Sequence, residues 1–242
     1  MARRLRILAG PNGSGKSSVY SNLERSGGFN WGIYINADEI EKQLKENGFV
    51  DVSTFGLTHF AWDVFIRNYD SFVQDKHGLC SGKYLRYIDN KIFVWNTDLV
   101  DSYLACYIAE YLRQAVLETV KDITFTIETV MSHPGKLEFM RQAKKKGFRI
   151  YLYFVSTSSP DINVGRVAAR VQRGGHNVSE EKIRSRYIRS LENLHEAVLL
   201  SDRAYIFDNS KNKYRLIAEY DGSTGNLSYA SDEIPQWVAQ YI

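Results

Sequence analysis

The stretch Gly10-Pro-Asn-Gly-Ser-Gly-Lys-Ser17 constrains this chain most, because it demands a strand before it, a helix after it and an anion between them. The apolar run over residues 5–9 reads as a short buried strand, and Ser17 to about Arg25 as a helix. Gly10, Gly13, Gly15, Lys16 and Ser17 satisfy the pattern G-x-x-x-x-G-K-[ST]. Glycines let successive backbone N–H groups turn inward and wrap phosphate oxygens with no Cβ in the way. The following helix aims its positive end at the same anion. Lys16 can reach the β- and γ-phosphates, and the Ser17 hydroxyl can ligate Mg²⁺. The loop of Gly10, Pro11, Asn12, Gly13, Ser14, Gly15, Lys16, Ser17 and Ser18 therefore predicts a nucleoside triphosphate site, most simply for ATP with magnesium.

Strand and helix signals alternate beyond the loop. Strands are expected at Ile33–Asn36, Ile123–Ile127, Phe148–Val155 and Ala204–Phe207, with helices over Glu39–Glu46 and from Pro134 to Lys146. That rhythm predicts a three-layer α/β fold of the P-loop nucleoside triphosphate hydrolase and kinase type, built on a mainly parallel sheet. A single domain over 1–242 is expected. Within it, residues 49–100 read as a mostly helical, aromatic-rich insertion, and residues 211–242 as a hairpin and short helix. The aromatic rings of the insertion fit a small core of its own; a substrate lid or partner surface is the sharper alternative.

With 31 basic and 28 acidic residues, the net charge of +3 gives no reason to expect nucleic acid. Cys80 and Cys106 lie far apart and show no metal-ligand spacing, which predicts a reducing cytoplasm. Ile7-Leu8-Ala9 behind three arginines is too short for a signal core, and no segment approaches a membrane span.

Phosphoryl transfer requires a group on the acceptor and cations over the phosphoryl oxygens. In open α/β sheets such groups sit at the carboxyl ends of strands. Asp38 ends the second strand and can accept a proton from a hydroxyl; it can equally cap a helix beginning at Glu39. Glu128, followed by Thr129, ends the strand Thr124–Thr129 and can bind a substrate hydroxyl or a second magnesium position. Arg166, Arg170, Arg173, Arg184, Arg186 and Arg189 supply the cations. On the helix from Pro160, Val164, Val167, Ala168 and Val171 form an apolar stripe by period, and Gly174-Gly175 ends it. Ser179 caps a second helix striped by Ile183, Tyr187, Leu191, Leu194 and Val198, with Arg186, Arg189 and Asn193 on its flank. Arg173, beside the Gly-Gly turn, and Arg186 are the arginines expected at a triphosphate, and His176 is expected to tie down the turn.

Four stretches together resemble the zeta-toxin-like kinases: Ala9–Ser18, Ile35–Ile40, Phe125–Thr129 and Arg170–Tyr187, the last followed by Leu191-Glu-Asn-Leu194. The resemblance covers roughly residues 4–48 and 102–210. It implies ATP on the loop, Asp38 as base at the acceptor hydroxyl, Glu128 with Thr129 at the substrate, and Arg173 and Arg186 on the triphosphate. It also implies an acceptor such as UDP-N-acetylglucosamine and a silencing antitoxin protein. The aromatic insertion departs from that pattern beside the expected acceptor site. The sequence thus predicts a cytoplasmic kinase acting on a small-molecule hydroxyl. A slow ATP-hydrolysing switch and a kinase of nucleosides or nucleic-acid ends are the alternatives.

Overall fold

The computed structural model describes residues 3–27, 30–77, 84–175 and 177–242. In chain order, β1 (Arg4–Ala9) leads into α1 (Lys16–Arg25). Then come β2 (Ile33–Ile35), α2 (Ala37–Asn47), β3 (Phe49–Asp51), α3 (Trp62–His77), β4 (Leu85–Ile88), β5 (Lys91–Val94) and α4 (Ser102–Thr119). The chain continues through β6 (Thr124–Thr129), α5 (Gly135–Lys145), β7 (Arg149–Ser156), α6 (Pro160–Val171), α7 (Glu180–Glu192) and α8 (Leu194–Leu200). It closes with β8 (Arg203–Asp208), β9 (Arg215–Asp221), β10 (Asn226–Tyr229) and α9 (Gln236–Tyr241). These elements divide into two units, Met1–Gly32 with Ile123–Ile242, and Ile33–Asp122.

The first unit contributes six strands to the larger sheet, in the order β10-β9-β8-β7-β1-β6. Here β6, β1, β7 and β8 run parallel, whereas β9 and β10 turn back as an antiparallel hairpin. Parallel central strands are covered on both faces and so read as apolar runs; β7 is buried at six of its eight positions. Tyr153 and Val155 face Leu8, Val19 of α1, Trp31 and Phe207 in one core cluster. Ile150, Leu152 and Phe154 alternate to the opposite side, where Trp237 of α9 lies 6.2 Å from the Phe154 ring. Truncating such a residue, as in Leu8→Ala, costs about 2–5 kcal/mol. The packing therefore fixes the loops at the carboxyl ends of β1, β6, β7 and β8 on a rigid base.

The second unit holds an antiparallel sheet, β3-β5-β4, with α2, α3 and α4. The stretch 49–100 was expected to be mostly helical, yet its described residues hold three strands beside one α-helix and two short 3-10 turns, Val52–Phe55 and Thr97–Leu99. Asp89 and Asn90 both take positive φ, 49° and 61°, which closes β4 onto β5 in a two-residue turn. The aromatic rings pack together, but in a core shared with α4 rather than the stretch's own: Phe65 is fully buried against Phe60 and against Tyr107 and Tyr111 of α4. The Tyr107 and Tyr111 hydroxyls donate to the Phe65 and Ala61 carbonyls, and burial pushes the Tyr69 and Tyr107 phenols up to about 12. Among the described residues no helix is long and apolar enough to cross a membrane.

Candidate functional site

Between β1 and α1 the glycine-rich loop turns through three positive-φ glycines. Gly10 is the tightest: at φ 139° a Cβ there would lie 1.9 Å from the Val155 carbonyl oxygen. Gly15 caps α1 at φ 94° with no side-chain cap, leaving the first N–H groups of the helix to an incoming anion. A Cβ on Gly15 would collide at 2.0 Å with the Asn209 amide, which donates 2.8 Å to the Ser14 carbonyl. Glycine is thus required by the packing of the loop against the end of β7 and the loop after β8.

Lys16 is buried and its Nζ donates to the carbonyls of Gly10 (2.9 Å) and Pro11 (3.2 Å). It also lies 3.8 Å from Glu128 Oε1. The register sets Glu128 beside Leu8 on the neighbouring strand β6, so the structure brings the predicted lysine and carboxylate together. Thr129 is buried beside it, and its carbonyl accepts the Gly10 N–H at 3.2 Å. Ser17 and Ser18 are exposed at the start of α1.

The arginines separate into different roles. Arg186 of α7 reaches the loop, its Nη1 lying 3.5 Å from Asn12 Oδ1. Arg173 is exposed in the turn after α6 and donates 3.1 Å back to the Ala169 carbonyl of that helix. Arg184 is engaged by Asp161 (2.6 Å) and Glu180 (2.8 Å), which joins the amino ends of α6 and α7. Arg184 donates to the Asp161 carboxyl and holds it below the usual carboxylate range. Arg189 bonds to Ser185 on its own helix. Arg166 lines a cavity of about 740 Å³ with Gly15, Ser18, Asn22, Asn209 and the loop from Lys211 to Tyr214.

Two expectations about these helices change. The apolar stripe of α6 is narrower than its period suggests: Ala168 is exposed, and Asn163 is buried beside Val167 instead. Asn163 braces the phosphate loop, donating 2.7 Å to the Asn12 carbonyl while accepting from the Thr157 hydroxyl. On α7 the predicted stripe is buried, but the chain breaks at Asn193, and α8 begins at Leu194. Arg166, one of the six candidate cations, borders this cavity, whereas Asn163 and the 209–214 loop belong to no motif that marks them as site residues. The loop carries the usable signal, since it follows the carboxyl end of a parallel strand.

Asp38 belongs to the second unit. Asn36, not Asp38, caps α2: its Oδ1 accepts the Asp38 N–H at 2.8 Å, and the helix begins at Ala37. Asp38 is exposed on the first turn of α2, where its carboxylate is left for other work. The Arg113 guanidinium, buried in the same unit, donates to the Ile35 carbonyl at 3.4 Å and steadies the approach to that turn. Cys106 is exposed on α4, while Cys80 and His176 lie outside the described residues.

The family model AAA_33, described as an AAA domain, matches residues 5–194. The chain belongs to that family. Its fold, an α/β P-loop nucleoside triphosphatase fold with added antiparallel hairpins, recurs in solved structures. A chain of the AvrRxo1-ORF1:-ORF2 complex aligns over 99% of this chain and 63% of its own length, with TM-score 0.58 and 10% identity. A chain of the same pair crystallised with ATP gives 0.56 over 95% and 61%, at 13% identity. A chain from the PezAT chromosomal toxin–antitoxin system of Streptococcus pneumoniae gives 0.51 over 99% and 83%, at 15% identity. An uncharacterized protein of Haemophilus influenzae is 34% identical over 65 residues, 27% of this chain and 46% of that protein. The chain thus spans under half of that curated relative and just over three fifths of the AvrRxo1 chains. At the level of fold, the resemblance to zeta-toxin-like kinases holds.

A nucleoside triphosphate fits what this AAA_33 chain presents. Three positive-φ glycines, an uncapped helix start and a buried lysine form the phosphate cradle, and the cavity begins at Gly15 and Ser18, where a ribose and base would continue. Magnesium on such a nucleotide needs few protein ligands. The Ser17 hydroxyl and the Glu128 carboxylate suit it, and the described residues contain no cluster of three or more metal-binding side chains that would compete.

Proposed function

We propose that the chain is an ATP-dependent kinase that moves the γ-phosphoryl group to a hydroxyl of a small molecule. The observation that carries this reading is the meeting of Lys16, Glu128 and an Arg186-bearing helix at one phosphate loop. An arginine and a carboxylate at the loop supply the charge and orientation that phosphoryl transfer needs. In this reading the triphosphate lies in the cradle and the base enters the cavity between Asn22, Arg166 and the 211–214 loop. Lys16 exchanges its two carbonyl partners for phosphate oxygens. Arg186 offsets the charge that develops on the transferring group, and Arg173 joins it after leaving the Ala169 carbonyl. Ser17 and Glu128 would hold magnesium, which would supply charge neutralisation for the phosphates. Asp38 takes the hydroxyl proton as the acceptor oxygen bonds to phosphorus, and ADP leaves. Glu128 and Thr129 orient the acceptor.

For the acceptor, the reading extends to a nucleotide-activated amino sugar such as UDP-N-acetylglucosamine, supported by the motif resemblance. The toxin–antitoxin origin of one structural neighbour supports a silencing protein partner; a stoichiometric protein from the native host that lowers transfer on addition is the expected finding.

Incubation with γ-labelled ATP and a panel of sugar nucleotides, nucleosides and oligonucleotides, read by mass spectrometry, tests the reaction. A phosphorylated small molecule is expected. Hydrolysis to ADP with every acceptor untouched would sink the kinase reading. Asp38→Ala should keep ATP affinity and lose transfer about 10²–10⁴-fold, and wild-type transfer by that variant removes Asp38 from the role.

A further inference from the structure

Helix α7 touches three of the loops at the carboxyl ends of the parallel strands, and it does so from one side. Arg186, Tyr187, Ser190 and Asn193 recur at helical spacing. Arg186 reaches Asn12 in the loop after β1, and the buried Tyr187 hydroxyl donates 2.6 Å to Thr157 after β7. The fully buried Ser190 donates its hydroxyl to the Val130 carbonyl, and the Asn193 amide donates 2.8 Å to the Met131 carbonyl. These last two contacts fall directly after Glu128 and Thr129.

Met131 is where the clamp matters. It is buried, yet it holds φ 60°, a left-handed conformation that a side chain disfavours. Its N–H donates 3.1 Å to the Thr129 hydroxyl, so the turn folds back on the predicted acceptor site. Thr129 in turn receives the Gly10 N–H from the phosphate loop. A turn in this conformation persists only when its surroundings over-determine it, and here the surroundings are Thr129 on one side and α7 on the other.

We infer that Ser190 and Asn193 are positioning residues, which hold the Met131 turn left-handed and thereby fix Glu128 and Thr129 toward the acceptor. The inference rests on the kinase reading for its chemistry, but the clamp itself is physical. Because Arg186 projects from the same rigid helix, the arginine at the phosphate loop and the carboxylate at the acceptor are set by one element.

Two measurements test it together. In substrate-free protein, Asn193→Ala should speed hydrogen exchange at the amides of residues 129–131 about tenfold or more; an unchanged rate overturns the clamp. This arm holds whether or not phosphoryl transfer is found, so failure of the kinase reading is seen separately. In the transfer assay, Asn193→Ala should lower kcat/KM for the acceptor at least tenfold while the Kd for ATP stays within about twofold. Adding Met131→Gly should restore part of the loss, because glycine adopts φ 60° without being held there. Equal losses in ATP and acceptor binding, or no recovery with Met131→Gly, would mean Asn193 merely supports the fold and would overturn the proposal. Ser190→Ala, which leaves Asn193 in place, should show a smaller effect in the same direction on both measurements; no effect on either removes Ser190 from the clamp.

Discussion

Lys16 meets the Gly10 and Pro11 carbonyls and the Glu128 carboxylate, so an arriving triphosphate has to take over part of that set. Charge-assisted hydrogen bonds of this kind contribute about 1.5–3 kcal/mol. Lys16→Ala should therefore weaken ATP binding by roughly 10–100-fold, and an unchanged Kd by calorimetry would contradict the cradle. The two arginines should behave differently. Arg186 already faces the loop at Asn12, so Arg186→Ala should raise the Kd for ATP and lower kcat. Arg173 is tied back to the end of α6, so Arg173→Ala should lower kcat with little change in Kd. Equal effects of both variants on Kd would show that Arg173 reaches the nucleotide before the reaction begins. Position alone left Asp38 between cap and base; the Asn36 side chain removes the first role and leaves the second to be tested.

Element boundaries were legible where one residue type has one structural reason. Gly48 ends α2 at φ 75° and Pro160 opens α6 behind the Ser159 cap. What stayed hidden was set by distant packing. The unbroken apolar stripe from Ile183 to Val198 conceals the break at Asn193, because both short helices keep the same face buried. A dense run of aromatic residues likewise concealed the β4–β5 hairpin, although Asp89-Asn90 is a turn signal. Asn163 was illegible because an apolar stripe gives no reason to bury an amide; only its partners on Asn12 and Thr157 do. The α6–α7 pair gives two predictions. Tyr187→Phe removes the bond to Thr157 and should cost about 1 kcal/mol in urea unfolding. Asp161, lowered by Arg184, contributes stability above its unfolded pKa of about 3.9 and loses it as pH falls through the still lower folded value. The urea midpoints of wild type and Asp161→Asn should accordingly differ at pH 7, and the gap should shrink as pH falls below the unfolded value and through the folded one; a gap that does not change with pH across the acid range would contradict the ion pair.

For the molecule as a whole, the family match ends at residue 194, yet the cavity beside the phosphate loop is lined beyond it. Asn209 seats on Ser14, and Lys211 to Tyr214 form one wall. Their strand end is secured by Asp208, whose Oδ1 accepts from the Trp237 indole at 3.1 Å and from the Ser210 hydroxyl at 2.6 Å. The family portion thus supplies the phosphate cradle, and the last fifth of the chain supplies the wall against which a base would rest. Each part should leave its own mark on thermal stability. A ligand at 100 times its Kd stabilises by about 2.7 kcal/mol, which for a chain of this size raises Tm by roughly 5–10 °C. Inorganic tripolyphosphate with magnesium, which fills only the cradle, should give the smaller part of the shift seen with saturating ATP. Removing the Lys211–Tyr214 wall by exchange for a short glycine linker should bring ATP down to the tripolyphosphate value while leaving that value in place. If ATP and tripolyphosphate shift the wild-type Tm equally at equal concentration, the base lies in solvent and the cavity belongs to something else.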